Sequence, residues 1–276
     1  MRSLIILPLL FISVLLQAQH FNERTIKQDS SYQQLKTEIV EKFKNAQPGE
    51  FGSFIKGVDE DIKTDKKIMA LTFDACGGPH GSGYDEELIN FLRQNKIPAT
   101  IFLSGLWIDA HPDIVKELAA DPLFEIENHG LTHHPCAIDG ESKYGIHGTA
   151  SVGQAVDEIE LNARKIEAFT LRKPTYYRSA TATTDEACAE IARHLGETII
   201  SYDLLSGDAV AGTPTNIIKD NLVHQAKDGA IVIMHMNHPE WNGYEALKQA
   251  LPEWQQQGFT FVKLELHPLV GKHSKK

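Results

Sequence analysis

The chain has 276 residues, 42% apolar and 23% charged, a folded-domain composition that excludes a wholly disordered, collagenous or polytopic membrane protein. Lys and Arg total 27 against 37 Asp and Glu; the formal charge of −10 supplies no footprint for phosphates, so no nucleic-acid partner is expected. Three cysteines, Cys76, Cys136 and Cys188, allow at most one disulfide. An apolar core must therefore hold the fold, and an oxidising compartment permits a Cys76–Cys136 bridge.

Residues 1–18 read as a signal peptide: Arg2 precedes the apolar run Leu4 to Leu16, and Gln17-Ala18 puts a small residue at a cleavage point. The run is about 13 residues, short of the about 20 needed to span a bilayer. With no cysteine near its end, a lipid anchor is unsupported. Cleavage leaves a periplasmic or secreted chain without a stable membrane anchor; an uncleaved N-terminal anchor is the alternative. Residues 19–66 read as an N-terminal helical extension, with Leu35, Ile39, Val40 and Phe43 at helical spacing.

From Lys67 the texture becomes short apolar runs alternating with amphipathic segments. The runs are 68–75, 99–105, 124–128, 175–180, 198–204, 230–236 and 259–266, each of strand length. Between them Val152, Val156, Ile159, Ala163 and Ile166, for example, repeat with a period near 3.6. Strands alternating with helices imply parallel strands joined by crossovers, and runs apolar on both sides belong in a sheet covered on both faces. A (β/α) barrel of about seven parallel strands is favoured over an open doubly wound sheet, because seven units fit one closed ring and no dinucleotide-binding glycine turn follows the first strand. The domain is placed at 67–268, with a basic tail at 269–276. The segment 136–151 is the longest break between runs and a candidate lid.

In such a barrel the chemistry sits at the C-terminal ends of the strands. Asp74 ends the first strand, His129 and His133 follow the third, Arg178 ends the fourth, Asp208 follows the fifth and His235 ends the sixth. On a helical turn His129 and His133, four residues apart, share a face and can grip one divalent ion. Trp107, Tyr144, Tyr176, Tyr177, Trp241 and Tyr244 are aromatic candidates for stacking on a ligand, or core residues.

LTFDACGG, NHGLTHHP, YYRSA, SGD and IMHMNHP stand in the order and spacing of the five motifs of the NodB-homology polysaccharide deacetylases, carbohydrate esterase family four. The chain resembles that family from about Lys67 to Leu266. The resemblance implies a distorted (β/α) barrel, a divalent metal, zinc first, and removal of acetyl groups from an N-acetylated polysaccharide such as peptidoglycan. It maps Asp74 onto the catalytic base, Arg178 onto the arginine that orients it, and His129 and His133 onto the metal-binding histidines. Asp208 then matches the carboxylate that tunes the catalytic histidine, and His235 matches the general acid.

Two positions depart from the pattern. The residue after the catalytic aspartate, a metal-binding aspartate in most members, is Ala75, and the third motif lacks its usual prolines. A methyl group cannot ligate, so a weakly metallated site is expected, strengthened by Ala75→Asp. Asp74, His238 and Cys76 are within sequence reach as substitute ligands. The alternatives to an N-deacetylase are an O-acetyl esterase acting on a xylan-type polysaccharide and a non-catalytic glycan-binding member of the fold.

Overall fold

The computed structural model describes residues 23–271; the expected signal peptide and most of the basic tail lie outside them. Nine strands form one parallel sheet: β1 (Val58–Asp59), β2 (Ile68–Ala75), β3 (Ala99–Leu103), β4 (Phe124–Asn128), β5 (Tyr176–Tyr177), β6 (Thr198–Ile200), β7 (Leu204–Leu205), β8 (Ile231–His235) and β9 (Thr260–Phe261). Their order is β7-β8-β2-β3-β4-β5-β6-β1, with β9 pairing the start of β2. Each of the seven apolar runs contains a strand of this sheet. The two extra strands come from Val58–Asp59, inside the expected extension, and from a break in the 198–204 run.

That break shapes the barrel. β6 lies beside β1 at one end of the sheet, while β7 lies beside β8 at the other. Ser201 N–H donates to the Asp59 carbonyl at 2.8 Å and Asp203 N–H to the Ile231 carbonyl at 2.9 Å. One continuous run, bent between Ile200 and Leu204, thus brings both ends of the sheet together.

Strand alternation divides the core into two layers. Along β2, Met69, Leu71, Phe73 and Ala75 join the outer cluster with Leu88 and Ile89 of α3 (Glu86–Gln94), Trp107 of α4 (Gly105–Ala110) and Trp254 of α9 (Gly243–Gln256). The alternate residues Ile68 and Ala70 meet Phe102, Ile200, Ile231 and Leu264 inside the barrel. Asp74 shares this inner phase, at the strand's C-terminal end. The covering helices start at side-chain caps. Asp85 accepts from Leu88 N–H at α3, Ser151 from Gln154 N–H at α6 (Val152–Thr170), and Asp185 from Cys188 N–H at α7 (Glu186–Leu195).

The N-terminal helices, Glu23–Gln28 and Ser30–Phe43, lie against α6 and α7, with Tyr32 and Ile39 buried. The extension is more than helical, since Asp61–Ile62 also pairs antiparallel with Leu269–Val270. The first residues of the expected tail are therefore folded onto the domain. The disulfide joins Cys136 to Cys188, not to Cys76, which is free. Cys136 lies in a loop facing the helix that carries Cys188, with the two Cα atoms 5.8 Å apart. Among the described residues no helix is long and apolar enough to cross a membrane.

Candidate active site

Asp74 and His235 stand directly opposite one another in register on β2 and β8. Asp74 is 2% exposed, and its Oδ1 accepts a hydrogen bond from the Arg178 guanidinium at 2.8 Å. Arg178 is fully buried over the ring of Phe102 and spends its other donors on Thr72 Oγ1 and on the Ile200 and Ser201 carbonyls. Those carbonyls lie at the bend between β6 and β7. The same guanidinium thus caps the bend and fixes the carboxylate. Burial alone raises the Asp74 carboxyl, but Arg178, His129 and His235 together outweigh it and hold it below the usual carboxylate range.

Across the mouth, His235 Nδ1 lies 3.0 Å from Asp208 Oδ1, and its backbone N–H donates to Asp208 Oδ2 at 2.7 Å. Ser206 Oγ donates to the same carboxylate at 2.8 Å. Burial disfavours a charged imidazole, but Asp208, with help from Asp74, overcomes it and raises His235 above its ordinary value. With Nδ1 turned to Asp208, Nε2 is the nitrogen left to face the mouth.

His129 and His133 do come together, their ring centroids 4.8 Å apart, but not on a helix. Residues 129–135 form a loop in which Gly130 has φ +83° and His133 has φ +59°. A Cβ on Gly130 would lie 2.4 Å from Glu158 Oε1, so glycine is what lets the loop approach. Glu158, buried on α6, accepts from the Thr132 N–H, the Thr132 hydroxyl and the His134 N–H. Sequence reasoning missed this anchor; its only trace was a carboxylate within the apolar stripe of a helix. His129 Nδ1 is 2.7 Å from the Arg178 carbonyl, which fixes that nitrogen as donor and leaves Nε2 as an acceptor. Burial lowers both imidazoles, and with His129 beside it His133 falls to about 3, so both are neutral, ligand-competent bases.

Of the substitute ligands, His238 is turned away: it pairs with Glu240 at 2.8 Å and stacks on Trp241 at 3.5 Å. Asp74 keeps Oδ2 3.8 Å from His129 Nε2 but is committed to Arg178 through Oδ1. Cys76 Sγ also lies 3.8 Å from His129 Nε2. One ligand atom from each of Cys76, His129 and His133 falls within 4.8 Å of the others. Burial, with the Asp74 and Asp208 carboxylates nearby, pushes the thiol up. Ala75 lies in the outer apolar cluster and offers no ligand atom.

The aromatic candidates divide. Trp107 and Tyr177 are fully buried core residues, whereas Tyr144 is 83% exposed and Trp241 half-buried. The 136–151 segment is no free lid. The disulfide holds its start, and Thr149 Oγ1 ties back to both Ala137 N–H and the Ala137 carbonyl. A bridge between Lys143 and Ile146 closes a short turn that carries the exposed Tyr144. Where the third motif lacks its prolines, Thr181 and Ala182 both adopt positive φ, a tight backbone turn secured by Ser179 and Thr183.

Residues 61–200 match the family described as polysaccharide deacetylase. The chain belongs to that family. It is accordingly a deacetylase, a hydrolase of acetylated polysaccharide. Among its relatives, the peptidoglycan-N-acetylglucosamine deacetylase of Bacillus cereus is 25% identical over 204 residues, 73% of this chain and 88% of the relative. A family 4 acetyl xylan esterase from Clostridium thermocellum, solved in complex with a cobalt ion, shares the fold at TM-score 0.58 and 21% identity, covering 72% of this chain and 89% of that one. So does a CE4 family pseudoenzyme from Bacillus anthracis, at TM-score 0.63 and 18% identity, covering 85% of this chain and 80% of that one. The fold family implies a divalent metal, and the Cys76, His129 and His133 donors of this deacetylase fit one in kind and separation.

Proposed function

We propose that this deacetylase removes the N-acetyl group of an amino-sugar polymer, peptidoglycan first, outside the cytoplasm. The observation that carries the reading is the pairing at one mouth of a carboxylate fixed by an arginine with an imidazole fixed by a carboxylate. Export rests on the leader-like residues 1–18, and the N-acetyl preference on the similarity to the peptidoglycan-N-acetylglucosamine deacetylase.

Amide hydrolysis needs a water relieved of a proton and a leaving amine supplied with one. Asp74, kept ionised by Arg178, accepts the proton of the attacking water. His235, kept protonated by Asp208, donates from Nε2 to the departing nitrogen. His129, with Nε2 left free, and His133 would hold a divalent ion. The chemistry such an ion would supply there is polarisation of the acetyl carbonyl and a lowered pKa for the attacking water. Arg178 is a positioning residue, and so is Asp208. Trp241 on the rim, stacked on His238, offers a flat face to a sugar ring.

A non-catalytic reading has support from the pseudoenzyme neighbour and from Ala75. Against it stand both fixed acid/base pairs, for which a binding protein has no use. The test is release of acetate together with a free amine from N-acetylated chito-oligosaccharide and peptidoglycan, with acetylated xylan run in parallel. Faster turnover of the xylan ester assigns the esterase, and no release from any of the three overturns the N-deacetylase reading.

A further inference from the structure

Position 75 cannot supply the anionic ligand that accompanies the histidine pair elsewhere in the family, yet a side chain one residue further on faces the histidines. We infer that Cys76 is the third protein ligand, a thiolate, so that the ion sits in a Cys-His-His site instead of an Asp-His-His one. The inference rests on the metal-assisted reading proposed above and specifies the ion's surroundings.

Alternation places it there. Asp74 and Cys76 are two residues apart and share the inner phase, while Ala75 between them faces the outer cluster. The backbone at Cys76 is held in that attitude. Its carbonyl accepts from Ser104 Oγ at 2.5 Å, and Gly77 follows at φ +75°, where a Cβ would lie 2.5 Å from Trp107 N.

The Cys76–His129 spacing fits a tetrahedral ion. With metal–sulfur about 2.3 Å and metal–nitrogen about 2.05 Å, sulfur and nitrogen ligands stand about 3.6 Å apart. Cys76 Sγ and His129 Nε2 are 3.8 Å apart. His129 is already committed to the right tautomer by its Nδ1 contact with the Arg178 carbonyl. As the Sγ–metal bond forms, the thiol proton leaves to buffer, since a coordinating thiol is deprotonated outright. One thiolate with two neutral imidazoles carries the same charge as one carboxylate with two. It is softer, so the site favours zinc over manganese or magnesium.

The disulfide makes the test selective. With Cys136 bonded to Cys188, Cys76 is the one free thiol of the three cysteines. The full-length chain, stripped of metal and loaded with cobalt(II), is expected to show visible d–d bands and a near-ultraviolet sulfur-to-cobalt charge-transfer band. Zinc at one equivalent is expected to abolish alkylation of the free thiol. Cys76→Ser is expected to lose the near-ultraviolet band and to weaken zinc binding at least about 100-fold, the upper end of what removing a group one shell further out costs. Cobalt bound by the wild type with d–d bands but no near-ultraviolet band overturns the thiolate ligand and leaves the histidine site standing. A wild type that binds neither cobalt nor zinc removes both. The wild-type spectrum and its alkylation decide the matter even where the serine variant fails to fold.

Discussion

Ala75 illustrates how one residue's direction decides its chemistry. It is buried in the outer apolar cluster beside its register partner Leu103, so Ala75→Asp buries a carboxylate among apolar side chains. The substitution is expected to cost at least about 3 kcal/mol, as an uncompensated buried charge does, with no gain in zinc affinity. Thermal unfolding and calorimetric zinc titration check it; tighter binding at an unchanged Tm would show that residue 75 turns inward. The two acid/base groups carry their own expectation. Asp74→Asn and His235→Ala should each lower kcat by about 10²–10⁴, the usual range for losing a general acid or base, while circular dichroism stays that of the wild type. Near-normal turnover in either variant would unseat that role. Asp208 sets the pH profile. Because His235 is raised and acts protonated, activity should fall as pH rises through its elevated value. Asp208→Asn removes the raising charge, so the alkaline limb should move to lower pH, and an unmoved limb would detach Asp208 from His235. Linkage runs the same way: the Asp208–His235 contribution to stability is full below the unfolded histidine value and is lost as pH rises through the folded one.

At the scale of elements, the bent run 198–204 and the loop 129–135 are where sequence periodicity fell short. Thr198-Ile199-Ile200-Ser201-Tyr202-Asp203-Leu204 reads as one strand, because nothing within it announces that Ile200 and Ser201 will give their carbonyls to an arginine 22 and 23 residues earlier. The two histidines four apart fit a helical face equally well on paper. Gly130 and the distant Glu158 make them a loop instead, a tertiary choice without a local signal. The disulfide was likewise illegible, since a 52-residue separation says nothing of proximity. Its energetic role is testable. Closing a loop of that length restricts the unfolded chain by about 4 kcal/mol, so the double variant Cys136→Ser/Cys188→Ser should lose stability of that order in denaturant titration. The 136–151 segment should become more protease-sensitive while zinc binding persists. Loss of zinc binding in a folded double variant would mean that the bridge, and not the Glu158 anchor, holds the histidine loop.

Over the whole molecule, the two-layer barrel was legible because its strands are apolar on both faces and its helices on one. The six polar residues at strand ends were legible because a barrel of this kind gathers such ends at one mouth. What the sequence left undecided was how far each side chain turns, which separates Cys76 from Ala75 and His238 from His129. The N-terminal region was read as a helical appendage because its strands, Phe51–Gly52, Val58–Asp59 and Asp61–Ile62, are each only two residues long, too short for any period to show. The proposed mechanism joins one ion and two fixed acid/base pairs in a single hydrolytic mouth. A zinc titration of the metal-stripped enzyme, followed by acetate release from N-acetylated chito-oligosaccharide, tests it most directly. Activity should rise from background in proportion to added zinc and saturate at one ion per chain. Full acetate release from the stripped enzyme, indifferent to both zinc and chelator, would contradict it.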